Sequence, residues 1–284
     1  MTDRRPVDLL RCPFCVSALD GDAAATVRCE RGHAFDANRR GYLTLFPRKR
    51  PNVRGDTTAM LAARERVLDS AAYLALREAV AEAVATDAPE HVVVADLGCG
   101  TGQYAVSALA RLDDPAGAVV ADLSSDAVRL AVRRLRGASV PVAVGVVLDL
   151  WSPLPLASGA FDRVLNVFAP RNLPEFARIL APGGRLVTVI PADDHLAELR
   201  AGGAMIDVRA GKREQVLSDA AAAGLRLVDS VHVAGELAPT AQLVDDLVAM
   251  GPSAHHPRGD RPTTGELPPR ISTAVDVLVL ARAV

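Results

Sequence analysis

The second half of the chain alternates short apolar runs with longer amphipathic stretches. Five runs rich in Val, Leu and Ile lie at residues 92–97, 118–123, 142–148, 161–168 and 185–190. Nearly continuous apolar runs of this length, with helical stretches between them, predict parallel strands that are covered on both faces. The predicted sheet reaches seven strands with two later runs, at 226–233 and 274–281. The pattern therefore predicts a doubly wound, Rossmann-like α/β fold.

The beginning of the chain follows a different pattern. Residues 10–46 contain several turn-forming residues and no helical period, so this segment needs a further source of stability to fold. From residue 56 onward, apolar residues recur at the spacing of an amphipathic helix. The stretch in between, 47–54, is basic and flanked by prolines. We expect a small first domain over residues 1–50 and a second domain over residues 51–284.

Three cysteines and a histidine lie close together in the first segment. Their spacing is Cys12-x2-Cys15, then thirteen residues, then Cys29-x3-His33. The first pair, of two cysteines, can supply two ligands of a tetrahedral Zn²⁺ ion, and the second pair, of a cysteine and a histidine, can complete its coordination. Four protein ligands leave no position for water, so the spacing predicts a structural zinc site. The alternatives are four unrelated residues or a redox-active Cys pair, but a redox pair would open a helix after a strand.

A glycine-rich turn follows the first strand of the predicted sheet. Residues 92–103 read VVVADLGCGTGQ, so an aspartate closes a buried strand just before three glycines. Such glycines let the backbone turn tightly and approach a ligand. A carboxylate directly before them would repel a pyrophosphate but can bind an ammonium group, which favours S-adenosylmethionine over NAD. The residues predicted to hold this cofactor are Asp96, Gly98, Gly100, Thr101, Gly102 and Gln103.

The next two strands also end in acidic residues. Asp122, followed by Leu123, lies where a carboxylate can accept hydrogen bonds from both ribose hydroxyls. Asp149 and Leu150 follow the third strand, where they can meet the amino group and the edge of an adenine. The alternative is that both aspartates only cap the helices that follow them. Three acidic strand ends in succession favour the cofactor site.

Positive charge is concentrated at the front of the chain. The formal net charge is −2, yet residues 1–66 contain 13 Lys and Arg against 8 Asp and Glu. A basic run of this kind suits contacts with phosphates, although a solvated basic face is an equally good interpretation of charge alone. The residues predicted to bind RNA are Arg39, Arg40, Arg48, Lys49 and Arg50.

Other features restrict the location of the protein. Its longest apolar stretches are well short of the roughly 20 residues that cross a bilayer. Residues 1–10 contain charges and a proline but no apolar core of a signal peptide. We therefore expect a cytoplasmic protein with no membrane partner. The Pro- and Gly-rich stretch at 251–270 is predicted to be a mobile loop.

The motifs together resemble a known family. The chain contains CPFC with CERGHAFD, then GYLTLFPR, GDTTAMLAARERVLDS, DLGCGTGQY, NVFAPRNLPEFARILAPGGRL and DHLAEL. This combination resembles the RlmA family of 23S rRNA (guanine-N1)-methyltransferases, and most closely its tylosin-resistance branch. The resemblance extends over nearly the whole chain, and it implies a class I methyltransferase core with a small amino-terminal zinc-binding domain.

The resemblance also implies a reaction and a set of residues. The reaction is methyl transfer from S-adenosylmethionine to N1 of a guanine in hairpin 35 of 23S rRNA, and it protects the ribosome from macrolides such as tylosin. The implied zinc ligands are Cys12, Cys15, Cys29 and His33. Tyr73 and His195 are implied as further contacts of S-adenosylmethionine. Family members act as homodimers with a cleft for RNA.

The general base, if there is one, is not identified by the sequence. Guanine N1 carries a proton that must leave as the methyl group arrives. Polar candidates near the predicted strand ends are His195, Asp149 and Asn166. Phe168 can stack on an extruded base or belong to the core. Correct placement of N1 alone can also supply most of the rate.

Two other functions are compatible with parts of the sequence. A small-molecule methyltransferase of a natural-product pathway would share the core, but it has no need for the basic zinc segment. A non-catalytic RNA-binding protein would use the zinc segment and retain the methyltransferase fold without its activity. The intact acidic and glycine residues of the predicted cofactor site argue against this alternative.

Overall fold

The computed structural model describes residues 5–47, 55–138, 143–203, 205, 211–251 and 267–283. Its amino-terminal part starts with a 3-10 turn at Pro6–Leu9 and continues with four short strands. These strands are β1 Leu19–Gly21, β2 Thr26–Cys29, β3 Ala34–Asp36 and β4 Tyr42–Thr44. The first three pair antiparallel in a small sheet of their own.

The remaining elements alternate between helix and strand. The helices are α1 Thr58–Asp69, α2 Leu74–Ala85, α3 Gln103–Leu109, α4 Ser125–Gly137, α5 Leu173–Ile179, α6 Ala197–Ala201, α7 Lys212–Ala222 and α8 Ala241–Ala249. The strands are β5 Val92–Leu97, β6 Pro115–Asp122, β7 Ala143–Val147, β8 Phe161–Val167, β9 Leu180–Pro191, β10 Leu225–Leu237 and β11 Ile271–Arg282. Thr57 and Ser124 cap α1 and α4 by accepting backbone N–H groups that have no partner within the helix.

The large sheet confirms the predicted fold class. Its strand order is β10-β11-β9-β8-β5-β6-β7-β4. Neighbours from β9 to β7 run parallel, whereas β11 is antiparallel to both β9 and β10. All seven apolar runs of the sequence form strands of this sheet. Because the strands run parallel, β5, β6, β7, β8 and β9 bring their carboxyl ends to one edge of the sheet, which is where doubly wound folds bind ligands.

An eighth strand joins the sheet from the amino-terminal segment. Strand β4 pairs parallel with β7, with Tyr42 opposite Gly145 and Thr44 opposite Val147. A further bridge connects Leu10 with Leu156. The amino-terminal segment is therefore attached to the rest of the chain by main-chain pairing at β4 and Leu10 as well as by packing, although the sequence predicted a boundary only at residue 50.

The core occupies both faces of the large sheet. On β5, Val92 and Val94 belong to one apolar cluster with helices α2, α3 and α4, whereas Val93 and Ala95 belong to a second cluster on the opposite face. This alternation is what a strand buried on both faces requires. The second cluster also contains buried apolar residues of the amino-terminal segment, namely Val7, Leu9, Leu10, Leu19, Val27, Leu43 and Leu45.

Some predicted features lie outside the described residues. They are Arg48, Lys49 and Arg50, and residues 252–266 of the stretch predicted to be a mobile loop. Among the described helices, none combines the length and the hydropathy that a bilayer crossing needs.

Candidate active site and metal centre

The four predicted zinc ligands meet at one point of the amino-terminal segment. Their ligand atoms all lie within 4.8 Å of one another. The Sγ atoms of Cys15 and Cys29 are 3.7 Å apart, and Nδ1 of His33 lies 3.3 Å from Sγ of Cys29 and 3.5 Å from Sγ of Cys12. A tetrahedral ion with Zn–S bonds of about 2.3 Å places its sulfur atoms about 3.8 Å apart. The donor set and the spacing therefore fit a zinc ion with four protein ligands.

Two tight turns and a neighbouring ring shape this metal centre. Val16 and Gly32 adopt left-handed backbone conformations next to the two ligand pairs, with φ of 63° and 81°. The ring of Phe14 packs edge-on against His33 at a centroid distance of 5.1 Å. Hydrogen bonds from Ser17 lower the pKa of Cys15 to about 6, which favours the thiolate form that binds zinc. Burial raises the pKa of the Cys12 thiol.

The glycine-rich turn lies between β5 and α3 and is closely packed. Gly98 and Gly102 have φ of 84° and 85°, a region that residues with side chains rarely adopt. A Cβ atom on Gly98 would lie 2.2 Å from Cβ of Ala169, and one on Gly102 would lie 2.8 Å from Cα of Ala131. The turn thus depends on the absence of side chains at these two positions.

Two of the three acidic residues at the strand ends accept hydrogen bonds from nearby loops. Asp122 accepts N–H groups of Gly100 and Ser124 at 3.0 and 2.9 Å. Asp149 accepts the N–H of Trp151 at 3.0 Å and the hydroxyl of Ser152 at 2.9 Å. Ser124 rather than Asp122 caps α4, and no described helix begins directly after Asp149, so the helix-capping alternative does not hold. Each carboxylate oxygen retains capacity for a further donor. Asp122 also ties the second strand end directly to the glycine turn.

Asp96 differs from the other two carboxylates. Its side chain is buried, and its Oδ2 atom has no hydrogen-bond partner among the described residues. Burial, followed by the charge of Asp122, raises the pKa of Asp96 to about 7. The hydroxyl groups of Tyr73 and Tyr104 are likewise buried and have no partner in the described part of the chain. Buried polar atoms without partners are costly, so these three side chains fit a polar ligand such as S-adenosylmethionine.

Other residues of the crevice are positioned by contacts across the fold. Thr101 and Gln103 are buried and hydrogen-bonded to each other, and Gln103 reaches Asp69 on α1 at 3.2 Å. The guanidinium group of Arg64 lies over the glycine turn, 3.3 Å from where a Cβ atom of Gly100 would be. Leu150 is buried beside Gly98, and Leu123 is half-buried.

The sequence analysis missed Arg64 and Tyr104. Arg64 forms part of the polar face of α1, and Tyr104 has the apolar spacing of a core residue on α3. Nothing in these local patterns distinguishes a residue beside the cofactor from an ordinary surface or core residue. The approach of α1 to the glycine turn brings Arg64 to the crevice, whereas Tyr104 lies on α3 directly after the turn.

The ends of β8 and β9 carry the remaining candidates. Asn166 is fully buried, and its side-chain amide donates to the carbonyl groups of Leu97 and Pro170, both at 3.0 Å. Both N–H bonds of this amide are therefore used within the protein. His195 accepts the N–H of Ala274 at Nδ1 and stacks against Phe168.

The described part of the basic run is exposed. Arg39 and Arg40 lie in the turn between β3 and β4, with Arg28 and Arg31 nearby in the sequence. Within the described residues, none of these four guanidinium groups makes a hydrogen bond or an ion pair. They are available to a partner with negative charge.

Comparisons with known families and proteins bear on both regions. The family model described as "RlmA, N-terminal", a zinc ribbon, matches residues 10–52, and a methyltransferase domain model matches residues 94–184. The chain is 41% identical over 254 residues to the 23S rRNA (guanine(748)-N(1))-methyltransferase of Streptomyces fradiae. The aligned region covers 88% of this chain and 87% of that protein.

Solved structures support the fold of the larger region. A methyltransferase from Thiobacillus denitrificans, solved in complex with S-adenosyl-L-homocysteine, superimposes with a TM-score of 0.51 at 16% identity. The match covers 80% of this chain and 99% of that one. At this level of identity the likeness concerns the fold.

Proposed function

We propose, since the chain belongs to the RlmA-type family of 23S rRNA (guanine-N1)-methyltransferases, that it transfers a methyl group from S-adenosylmethionine to N1 of a guanine in 23S rRNA. The observation that carries this proposal is the identity of 41% over 88% of the chain, which includes both the zinc ribbon and the methyltransferase core. A likeness restricted to the core would leave the substrate open, because this fold serves many methyl acceptors.

The carboxyl edge of the sheet is the proposed binding site of the cofactor. S-adenosylmethionine, when bound, supplies an activated methyl group. In this proposal Asp96 binds its ammonium group, Asp122 binds its ribose hydroxyls, and Asp149 with Leu150 contacts its adenine. The buried, unpartnered Oδ2 atom of Asp96 supports the first of these assignments. The hydroxyl of Tyr73 is a further donor for this ligand.

The amino-terminal segment is the proposed RNA-binding region. The zinc ion would hold the turns that present Arg39 and Arg40, and the basic residues 48–50 follow closely in the sequence. Exposed guanidinium groups without partners in the described chain support phosphate contacts, which position RNA without reading its sequence. We propose hairpin 35 as the target, and protection from tylosin-type macrolides as the consequence.

Assembly and location complete the proposal. We propose a homodimer, which is supported by the long edge strand β10, whose 13 residues are mostly exposed. Such an edge offers unpaired main-chain groups to a second strand. A substrate within the ribosome is consistent with a cytoplasmic protein.

Primer extension on 23S rRNA tests the proposed function. Methylation of guanine N1 blocks base pairing, so reverse transcriptase is expected to stop at the modified position in RNA from cells that carry the gene. RNA from cells with the Asp96→Asn variant is the matched control. If both RNAs give the same extension pattern, and purified protein incorporates no labelled methyl group into 23S rRNA, the small-molecule alternative becomes the better interpretation.

A further inference from the structure

Two cationic side chains lie at the carboxyl edge of the sheet, beyond the strands assigned to the cofactor. Arg171 follows β8, which lies on the other side of β5 from β6 and β7. Lys212 begins α7, and α7 leads directly into the start of β10 at the amino edge, so Lys212 lies at the carboxyl edge. Both residues are half-buried, and in the described part of the chain neither side chain makes a hydrogen bond or an ion pair.

The surroundings of these two cations are unfavourable in the free protein. Burial lowers the pKa of Arg171, and the charge of Asp219 on α7 opposes this effect only in part. Burial also lowers the pKa of Lys212, and the charge of Arg171 lowers it further. The two like charges are therefore close enough to oppose each other. A cation that is partly removed from water without a bonded acid costs free energy, and an anionic ligand in contact with both groups would offset that cost.

The segment that carries Arg171 is fixed against the cofactor crevice. The side-chain amide of Asn166 donates to the carbonyl group of Pro170 at 3.0 Å. Ala169 packs on the glycine turn so closely that a Cβ atom on Gly98 would lie 2.2 Å from its own Cβ atom. An anion bound at Arg171 would therefore be held at a defined position beside the cofactor.

An exposed tryptophan lies next to this segment. Trp151 is the single tryptophan of the chain, and it is 66% exposed. Asn172, directly after Arg171, donates its side-chain N–H groups to the carbonyl groups of Leu150 and Ser152 at 2.8 and 3.3 Å. These bonds hold the backbone on both sides of the indole. Exposed aromatic rings beside cations are typical of surfaces that bind single-stranded RNA, where bases stack and phosphates meet positive charge.

The loop that carries Trp151 also contacts the amino-terminal segment. The N–H of Arg11 donates to the carbonyl group of Pro155, and the N–H of Ala157 donates to that of Leu9, both at 2.8 Å. Trp151 thus lies on a loop that joins the proposed RNA-binding region to the segment of the cation pair. This continuity favours RNA over a small anion as the partner.

We propose that Arg171 and Lys212 bind one backbone phosphate of the target RNA loop and that Trp151 stacks on an unpaired base of the same loop, an inference that rests on the proposed function. Arg171 offers a planar fork of donors, and Lys212 offers a compact charge. The phosphate contact positions the strand without reading its sequence. Stacking needs a base that is free of its partner, so this surface favours a loop over a duplex.

The fluorescence of Trp151 reports directly on this surface, because the chain has no other tryptophan. A hairpin 35 RNA should quench the emission, since a base stacks on the indole, and a fully paired duplex made from the same stem should quench it much less. S-adenosylhomocysteine alone should leave the emission unchanged. Absence of quenching by the bound hairpin would overturn the stacking, and quenching by S-adenosylhomocysteine alone would assign the indole to the adenine instead.

Binding measurements on charge variants test the phosphate contact. Arg171→Gln and Lys212→Gln should each weaken binding of the hairpin about 10-fold, through loss of a charge-assisted hydrogen bond. Each should also reduce the slope of log affinity against log salt concentration by about 0.7. Arg226→Gln is the matched control, because it removes the same charge from an exposed position at the start of β10, on the opposite edge of the sheet. This control should bind the hairpin as the unchanged protein does.

A neutral linkage in the RNA distinguishes a direct contact from an indirect effect. A methylphosphonate placed at each loop position in turn should weaken binding about 10-fold at one phosphate. At that position Arg171→Gln should cause no further loss, because the two changes remove the same interaction. The midpoint of thermal unfolding of Arg171→Gln should stay the same or rise, since the change removes an unpaired, half-buried charge. Affinity for S-adenosylhomocysteine, measured by calorimetry, should also stay the same.

Three results would overturn the phosphate assignment. Additive losses from Arg171→Gln and the neutral linkage at every loop position would show that no phosphate contacts this side chain. A loss of affinity for S-adenosylhomocysteine would assign the cation pair to the carboxylate of the cofactor. A lower unfolding midpoint would make Arg171 a structural residue. If the unchanged protein incorporates no methyl group into 23S rRNA, the proposed function itself fails, which is a distinct outcome.

Discussion

The zinc segment, residues 10–36, and the cofactor crevice are each stabilised in a different way. The zinc segment contains strands of only three or four residues, and its four metal ligands come from 22 consecutive positions. The crevice is built from the ends of long buried strands, and its residues come from positions as distant as Tyr73 and His195. A local cluster of ligands can supplement the apolar packing of such a short segment, whereas a crevice needs the whole sheet. The two regions should therefore respond to different perturbations.

Removal of the metal should have the largest effect and should separate the two regions. Binding of structural zinc contributes on the order of 10 kcal/mol to the folding of small zinc domains, so Cys29→Ser or chelation should unfold residues 10–36. Hydrogen exchange measured by mass spectrometry should show lost protection in β1, β2 and β3, with β5 and β6 still protected and the affinity for S-adenosylhomocysteine retained. Metal analysis should find one zinc per chain in the unchanged protein. Equal loss of protection in both sheets would mean that the regions fold as one unit.

A change in the glycine turn should destabilise the fold around the crevice. Gly98→Ala adds a Cβ atom 2.2 Å from Ala169 at a φ of 84°, so strain and overpacking should lower the free energy of unfolding by about 3 kcal/mol. Gly159→Ala is a matched control, because Gly159 also has a positive φ but nothing lies within 4 Å of the added atom. The control should cost only about 1 kcal/mol. Denaturant unfolding measures both, and similar losses would contradict the close packing of the turn.

Loss of one carboxylate should affect the cofactor with little effect on RNA. Asp122→Ala removes two charge-assisted hydrogen bonds proposed to reach the ribose, so cofactor binding should weaken by about 2 to 3 kcal/mol. Titration calorimetry measures this affinity, and metal analysis should find the zinc content unchanged. If the affinity does not change, Asp122 only supports the turn through Gly100 and Ser124.

Changes in the basic residues should affect RNA with little effect on the cofactor. Replacing Arg48, Lys49 and Arg50 with Ala should weaken binding to cognate and unrelated hairpins alike, because phosphate contacts carry little sequence information. Each lost contact should reduce the slope of log affinity against log salt concentration by about 0.7 to 0.9. Arg39→Ala with Arg40→Ala tests the described turn in the same way. An unchanged slope in filter-binding assays would mean that the basic run is only a solvated face.

The comparison also explains what the sequence could predict. The seven apolar runs and the spacing of Cys12, Cys15, Cys29 and His33 are local patterns, and each predicted its structure correctly. Strand β4 was missed because its three residues carry no strand period of their own, and its partner β7 lies about 100 residues later. The position of Arg64 over the glycine turn was also missed, because it depends on a contact between α1 and a turn that lies later in the chain.

The candidate residues of the active site were predictable to different degrees. Asp96 and Asp122 lie at the ends of their strands and Asp149 just after its own, so their common edge could be predicted from parallel topology alone. Their different hydrogen-bonding states could not, since they depend on which loops fold back onto each carboxylate. The orientation of His195 depends on the N–H of Ala274, which lies 79 positions away. Such contacts are determined by the antiparallel pairing of β9 with β11.

The pairing of β4 with β7 has a consequence for synthesis of the chain. Residues 42–44 leave the ribosome about 100 residues before their partner strand, a delay of roughly 5 to 20 s at ordinary rates of translation. During that time β4 has no sheet to join, and it is connected directly to the segment that contains the four zinc ligands. Early metal capture would keep this part of the nascent chain compact until the rest of the sheet has emerged. Zinc shortage during translation should then reduce the yield of native protein more than zinc removal after folding does.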